Sequence, residues 1–272
     1  MPNRLRIRLN QLALLLKGQD PRSKPYELVE NYAFANVDPK AELSNSGTEL
    51  ERLFWSHDGR LTNKWPHYLP IHERHLAPFK TGFPDGKGGT RPLRLLELGV
   101  SHGGSLQLWR KFLGPQAIIF GIDIDPLCRP LDTPDLPVRI GSQGDPKFLK
   151  AVVAEMGGLD VVIDDGSHIA VHQRASFDAL FPQLTEGGLY IIEDTQTSYW
   201  RLWDGGYRRP GTAIELAKSV VDDMHGWYHD SPLDRPAAKS QIGAVSFHDG
   251  IIVFEKRHRT PPVHTKMGTP SL

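Results

Sequence analysis

Five short apolar runs in this chain each give way to polar residues that could do chemistry, and acidic residues recur among them. The first run, Leu93 to Leu98, contains Glu97 and opens into Gly99-Val100-Ser101-His102-Gly103-Gly104-Ser105. The second, Ala117 to Ile122, ends on Asp123-Ile124-Asp125-Pro126, and the third, Val138 to Ile140, on Gly141-Ser142-Gln143-Gly144-Asp145-Pro146. The fourth, Leu159 to Ile163, runs into Asp164-Asp165-Gly166-Ser167-His168, and the fifth, Leu189 to Ile192, into Glu193-Asp194. Asp164, Asp165, Glu193 and Asp194 fall at the ends of two runs expected to be neighbouring strands. Four carboxylates brought together there repel one another and hold their protons more tightly. A bound cation removes the conflict, and oxygen-only donors select a hard ion, Mg²⁺ first, with Mn²⁺ or Ca²⁺ as alternatives. Helix capping and ion pairs to Arg174 or Arg201 are the structural alternative. His168 and His172 are four apart, as in some zinc sites, but H-E-x-x-H is absent and the nearby partners are carboxylates.

Such residues work together only if the elements that carry them align. Short apolar runs alternate with amphipathic stretches, the pattern of βαβ units and a parallel sheet. In such sheets ligands lie at the carboxyl ends of the strands. Phe177, Leu180, Phe181 and Leu184 recur at helical spacing, a further helix is expected over Ala213 to Met224, and Gln241 to Phe247 and Ile251 to Glu255 flank His248-Asp249-Gly250. Asp-Gly between two β-rich runs predicts a hairpin. The expected fold is α/β and Rossmann-like: a mostly parallel seven-stranded sheet closed by a C-terminal antiparallel hairpin, as in class I methyltransferases. Residues 1–90 are expected to form an N-terminal helical or irregular extension, with a helix around Leu5 to Lys17 and another ending near Phe79; residues 91–259 the catalytic domain; residues 260–272 a mobile tail.

The first turn is not G-x-G-x-x-G. Its glycines fall as G-x-x-x-G-G, which weakens a pyrophosphate cradle and suits the amino-acid end of S-adenosylmethionine. Glu97, Gly99, Ser101, Gly103 and Ser105 are the cofactor candidates there. Asp123, 26 residues after Glu97, is placed to accept both hydroxyls of a ribose. Ser142 and Gln143 fall where the adenine edge would lie, and Asp164 completes the cofactor set; Asp145 before Pro146 reads as a helix cap.

Lys and Arg total 32, as do Asp and Glu, for a formal net charge of zero. No basic field favours nucleic acid. The single Cys128 cannot form an internal disulfide, and the apolar stretch Leu12 to Leu16 is far below bilayer length, so a cytoplasmic protein without a membrane span is expected. A homo-oligomer is compatible with the composition.

The stretch from Leu95 to Trp200 resembles the macrocin and mycinamicin family of antibiotic-sugar O-methyltransferases. The resemblance is carried by Leu96-Glu97-Leu98-Gly99-Val100-Ser101-His102-Gly103-Gly104-Ser105, by Gly121-Ile122-Asp123-Ile124-Asp125-Pro126, by Ile163-Asp164-Asp165-Gly166-Ser167-His168, and by the run from Gly187 through Glu193-Asp194 to Tyr199. It implies that Asp165, Glu193 and Asp194 hold the metal, that His168 is the general base, and that Asp123 holds the ribose. Thr62-Asn63-Lys64 is similar to the family's Thr-Asp-Lys, departing at Asn63, and Tyr68 to an aromatic that follows. Lys64, Tyr68, Tyr199 and Trp200 are therefore expected at the acceptor, a sugar or glycoside, with Trp203 a further aromatic candidate. A catechol-type O-methyltransferase uses the same chemistry, because adjacent ring hydroxyls chelate the same metal. A nicotinamide-dependent oxidoreductase would need the missing glycine pattern.

Overall fold

The computed structural model describes residues 38–271. The helix expected over Leu5 to Lys17 lies outside the described residues. Among the described residues three helices come first: α1 (Pro39–Asn45), α2 (Glu49–Trp55) and α3 (Tyr68–Leu76). Helix α2 begins with a reciprocal cap, Thr48 accepting from the Glu51 amide while Glu51 accepts from the Thr48 amide. The sheet strands are β1 (Arg94–Leu98), β2 (Ile118–Asp123), β3 (Val138–Ile140), β4 (Leu159–Asp164), β5 (Leu184–Ile192), β6 (Ile242–His248) and β7 (Ile251–Lys256). Helices α4 (Gly104–Leu113), α5 (Pro146–Met156), α6 (Ala170–Leu180) and α7 (Ala213–Met224), with a short α8 (Ala238–Gln241), connect them.

The sheet has seven strands in the order β3-β2-β1-β4-β5-β7-β6; β7 runs antiparallel to β5, and β6 pairs antiparallel with β7. This is the expected architecture of a class I methyltransferase. The chain winds outward from β1 through β2 to β3, then crosses back to β4 on the other side of β1. The ends of β1 and β4 therefore bound the switch-point crevice where ligands bind in such sheets.

Parallel strands covered on both faces are mostly apolar, and so are these, with the buried exceptions Glu97, Asp160 and Asp164. Successive residues part to opposite layers: Leu96, Val162, Tyr190 and Phe254 pack with Val152, Phe177 and Val220, whereas Leu95, Val161, Ile191 and Val253 pack with Trp109, Leu69 and Leu50. The second layer thus includes side chains of α2 and α3. The spacing of Phe177, Leu180, Phe181 and Leu184 was one helix in expectation. In the structure the helix stops at Leu180, a 3₁₀ turn spans Phe181–Gln183, and Leu184 opens β5. Pro182 inside the turn lacks the N–H that a continuing helix requires. The Asp249-Gly250 hairpin forms as expected, with His248 paired to Ile251. No helix or strand follows Lys256 in residues 257–271. Among the described residues no helix is long and apolar enough to cross a membrane.

Candidate active site

The glycine-rich turn after β1 is shaped by other parts of the chain. Gly99 has φ +95°, and a Cβ on it would lie 2.2 Å from the carbonyl oxygen of Asp165; the Asp165 amide in turn donates to the Leu98 carbonyl at 3.0 Å. A Cβ on Gly104 would lie 2.3 Å from the carbonyl oxygen of Arg60. Sequence reasoning assigned these glycines to the close approach of a ligand. In the structure their bare faces admit the β4 loop at Gly99 and residues 60–61 at Gly104.

Asp123 fastens the turn to the second strand. One of its oxygens accepts from the Val100 and Ser101 amides at 3.0 and 2.9 Å, and the other from the Asp125 amide at 2.9 Å. It remains partly exposed beside Ser101, which is itself exposed. Glu97 and Ser105, expected at the cofactor, are instead turned towards each other in the interior. Fully buried Glu97 accepts from the Ser105 hydroxyl at 2.7 Å and from the Trp109 indole at 3.1 Å. Burial raises its carboxyl above the usual range, against the pull of Lys64. Gln143 and Asp164 form a second internal brace. The Gln143 amide donates to Asp164 at 3.0 Å, and its oxygen accepts from the Ser167 amide at 2.6 Å. Fully buried Asp164 also accepts from Ser176 at 2.7 Å and Tyr190 at 2.9 Å. These carboxylates and amides spend their hydrogen-bonding capacity on the protein, so they hold the loops that surround a ligand. Ser142 accepts from the Gly144 amide at 3.1 Å and is partly exposed.

Strands β4 and β5 run parallel in register, Asp164 opposite Ile192, so the residues just beyond them meet. Asp165, His168 and Asp194 each offer one ligand atom, and those atoms all lie within 4.8 Å of one another. The His168 Nε2 is 3.4 Å from Asp194 and 3.8 Å from Asp165, too far for a good hydrogen bond, while its Nδ1 is buried without a partner. His168 and Asp194 have φ of +54° and +52°, and Ser101 of the glycine turn +51°. Left-handed backbone at non-glycine residues is uncommon and persists where surroundings enforce it. Three of the five described cases fall in this site.

Glu193 is placed differently from Asp165 and Asp194. It is 1 % exposed, with its oxygens 2.8 and 2.9 Å from the Lys64 Nζ and one of them 3.0 Å from the His72 Nε2. Lys64 also donates to Asp165 at 2.6 Å and lies 3.6 Å from Glu97. Lys64 and Tyr68, expected to face an acceptor, are buried against the carboxylates instead. The Tyr68 hydroxyl donates to Asp194 at 2.9 Å and lies 3.1 Å from Gln196; the Trp65 indole also donates to Asp194, at 3.0 Å. Sequence reasoning missed His72, Trp65, Gln196 and Trp109. Gln196 lies within the run that ends at Tyr199 and Trp65 directly follows Lys64, so a motif did flag their neighbourhood; His72 and Trp109 had no signal beyond their place in a helix. Tyr199 is 46 % exposed and Trp200 half-buried, on the 3₁₀ turns that follow Asp194, with the Trp200 and Trp203 rings 5.4 Å apart. The Thr197 hydroxyl, 3.3 Å from the His168 carbonyl, ties this loop to the histidine loop.

One ammonium cannot balance four carboxylates. Burial pushes the Glu193 carboxyl up, but Lys64 and His72 outweigh it and hold it below the ordinary range. Asp165 is raised well above that range by burial and by repulsion from Glu193 and Asp194, despite Lys64. A cation among Asp165, Asp194 and His168 would relieve that repulsion, and hard oxygen donors fit Mg²⁺. The residues therefore fit a divalent ion.

No family model matches the chain. It is 36% identical over 257 residues, 90% of its length, to the 8-demethyl-8-(2-methoxy-alpha-L-rhamnosyl)-tetracenomycin-C 3'-O-methyltransferase of Streptomyces olivaceus, spanning 63% of that protein. It is 38% identical over 207 residues, 70% of its length, to the mycinamicin VI 2''-O-methyltransferase of Micromonospora griseorubida, spanning 48% of it. The chain thus spans about half to three-fifths of these relatives. Among solved structures, the MycE methyltransferase of the mycinamycin biosynthetic pathway, in complex with Mg, SAH and mycinamycin VI, superposes with a TM-score of 0.62 at 30% sequence identity, covering 92% of this chain and 61% of that one. The resemblance carried by the strand-end motifs is borne out: the chain has the class I methyltransferase fold and is similar to the antibiotic-sugar O-methyltransferases.

Proposed function

We propose that this chain transfers the methyl group of S-adenosylmethionine to a hydroxyl of a sugar or glycosylated natural product, in the cytoplasm and with a divalent ion, Mg²⁺ first. The observation that carries this reading is the convergence of Asp165, His168 and Asp194 within 4.8 Å beside the glycine turn. The likeness to sugar O-methyltransferases supports the acceptor class.

A sugar hydroxyl ionises far above neutral pH, so its attack on the methyl carbon needs a charge stabiliser and a proton acceptor. The metal, when bound, supplies a Lewis acid for the hydroxyl oxygen. Asp165 and Asp194 would hold it, with Glu193 as the third carboxylate. His168 takes the proton at Nε2, which faces the same space and carries no hydrogen bond there. Asp123 receives the ribose, while the turn at Gly99, Ser101 and Gly103, together with Ser142, borders the rest of the cofactor. Tyr199 and Trp200 offer an apolar face to the sugar or its aglycone. Glu97, Ser105, Gln143 and Asp164 keep the surrounding loops in place.

The test is methyl transfer from labelled S-adenosylmethionine to rhamnosylated aromatic polyketides and glycosylated macrolides, compared with catechols, with and without EDTA. Transfer to a glycoside that stops on chelation and resumes with Mg²⁺ supports the reading. A preference for catechols would replace the acceptor class, and full activity in excess EDTA would remove the metal.

A further inference from the structure

The Lys64 ammonium lies where metal carboxylates are expected to be free. Its side chain is 2 % exposed, and Nζ stands 2.6 Å from Asp165, 2.8 and 2.9 Å from the two oxygens of Glu193 and 3.6 Å from Glu97. An ammonium has three hydrogens and no lone pair. It cannot ligate a metal; it can only occupy the same oxygen lone pairs and repel a cation close by.

We infer that Lys64 is an internal counter-ion that competes with the divalent ion for Asp165 and Glu193, and so sets the metal affinity of the site from outside the sheet. This inference rests on the metal-dependent reading above. The geometry divides the carboxylates into two sides. Asp165 and Asp194 are partly exposed and offer oxygen donors to an entering ion, with His168 beside them. Both oxygens of Glu193 face Lys64, and one also meets His72. An ion entering from the exposed side gains Glu193 only by taking it from the ammonium.

The segment that carries Lys64 is built to keep it there. Lys64 lies between α2 and α3, and its neighbours Trp65 and Tyr68 donate to Asp194 at 3.0 and 2.9 Å. A buried ammonium is costly to leave unpaired, so Lys64 has no comparable site to move to without these carboxylates. The balance is therefore between one fixed charge inside the protein and one double charge supplied from solution.

The test is Mn²⁺ binding to the whole chain, read from the electron paramagnetic resonance of the free ion. Lys64→Met, neutral and of similar length, is expected to bind Mn²⁺ at least tenfold more tightly than the wild type, and Lys64→Arg within threefold of it. The charge-balanced pair Lys64→Met with Glu97→Gln is expected to show the same gain, and serves where the single variant folds poorly. If the wild type takes up no Mn²⁺, the metal-dependent reading fails and this inference with it. If the wild type binds but neither Met variant, folded by near-ultraviolet circular dichroism, binds more tightly, the competition alone is overturned. An equal gain in Lys64→Arg would also overturn it, since charge would not be the cause. Failure of both Met variants to fold even in saturating Mg²⁺ has the same meaning, because the ion could then not replace the ammonium.

Discussion

Asp123 and His168 are the residues on which the proposed chemistry turns, and the structure gives each a distinct test. Asp123 already accepts three backbone amides, so it arrives at the cofactor pre-oriented. Asp123→Ala removes charge-assisted acceptors for a ribose diol, and isothermal calorimetry with S-adenosylhomocysteine is expected to show a loss of roughly 2 to 4 kcal/mol. Unchanged affinity would reject the assignment. His168→Ala is expected to lower kcat about 10²- to 10⁴-fold while Mn²⁺ and cofactor binding stay near normal. His172 provides the contrast: its Nδ1 lies 3.0 Å from the Ser167 hydroxyl, inside the loop rather than at the carboxylates. If His172→Ala proves the more damaging of the two in steady-state kinetics, His168 is not the base.

Helix α3 and the β6–β7 hairpin are the elements that close the site from behind, and they meet at two points. A Cβ on Gly250, which has φ +75°, would lie 2.1 Å from the Tyr68 hydroxyl oxygen, and that hydroxyl holds Asp194. Gly250→Ala combines left-handed strain with a clash, and urea unfolding is expected to show a loss of about 1 to 3 kcal/mol. A stability equal to wild type would mean that hairpin and helix separate freely. The second point is the histidine pair His75 and His248, whose Nε2 atoms are 3.2 Å apart. Such a pair bonds only if at least one ring is neutral. Burial lowers the pKa of His75, and His248, His72 and Arg74 add to it; burial and Arg74 lower that of His248. A depressed histidine pKa means that the folded protein binds fewer protons than the unfolded chain. The contribution is therefore full above the unfolded value of about 6.5 and is lost as pH falls through the lower folded values. Denaturant unfolding at pH 7.5 and 5.5 is expected to show a smaller acid-side loss in His248→Gln than in the wild type. Identical losses would mean that the pair does not titrate.

At the scale of the molecule, the proposed metal site would make stability depend on the ion. An ion that binds only the folded state at 100 times its Kd stabilises by about 2.7 kcal/mol, worth roughly 5 to 10 °C in a chain of this size. Thermal melts in EDTA and in saturating Mg²⁺ should differ by that margin, and coincident melts would speak against a cation at the cluster.

The strand-end carboxylates, the Asp-Gly hairpin and the α/β alternation were legible in the chain itself. A strand buried on both faces is mostly apolar, and the polar groups that follow it fall at its carboxyl end; local order alone fixes that. Asp123, Asp165, His168 and Asp194 could therefore be placed before any coordinates. What each carboxylate faces was not legible. Glu97 and Asp164 look like ligands by position, but rotate inward to Ser105 and Trp109, and to Ser176 and Tyr190. Glu193 looks equivalent to Asp194, yet is bound by Lys64 and His72. Residues 64 and 193 are 129 apart in the chain, and no periodicity links them. Only the packing of α2 and α3 on the same sheet face brings that ammonium into the cluster. Sequence thus determined which groups stand at the crevice. Tertiary structure decided which carry a charge to spare, because the partners that neutralise a buried carboxylate come from elements whose approach depends on the whole core.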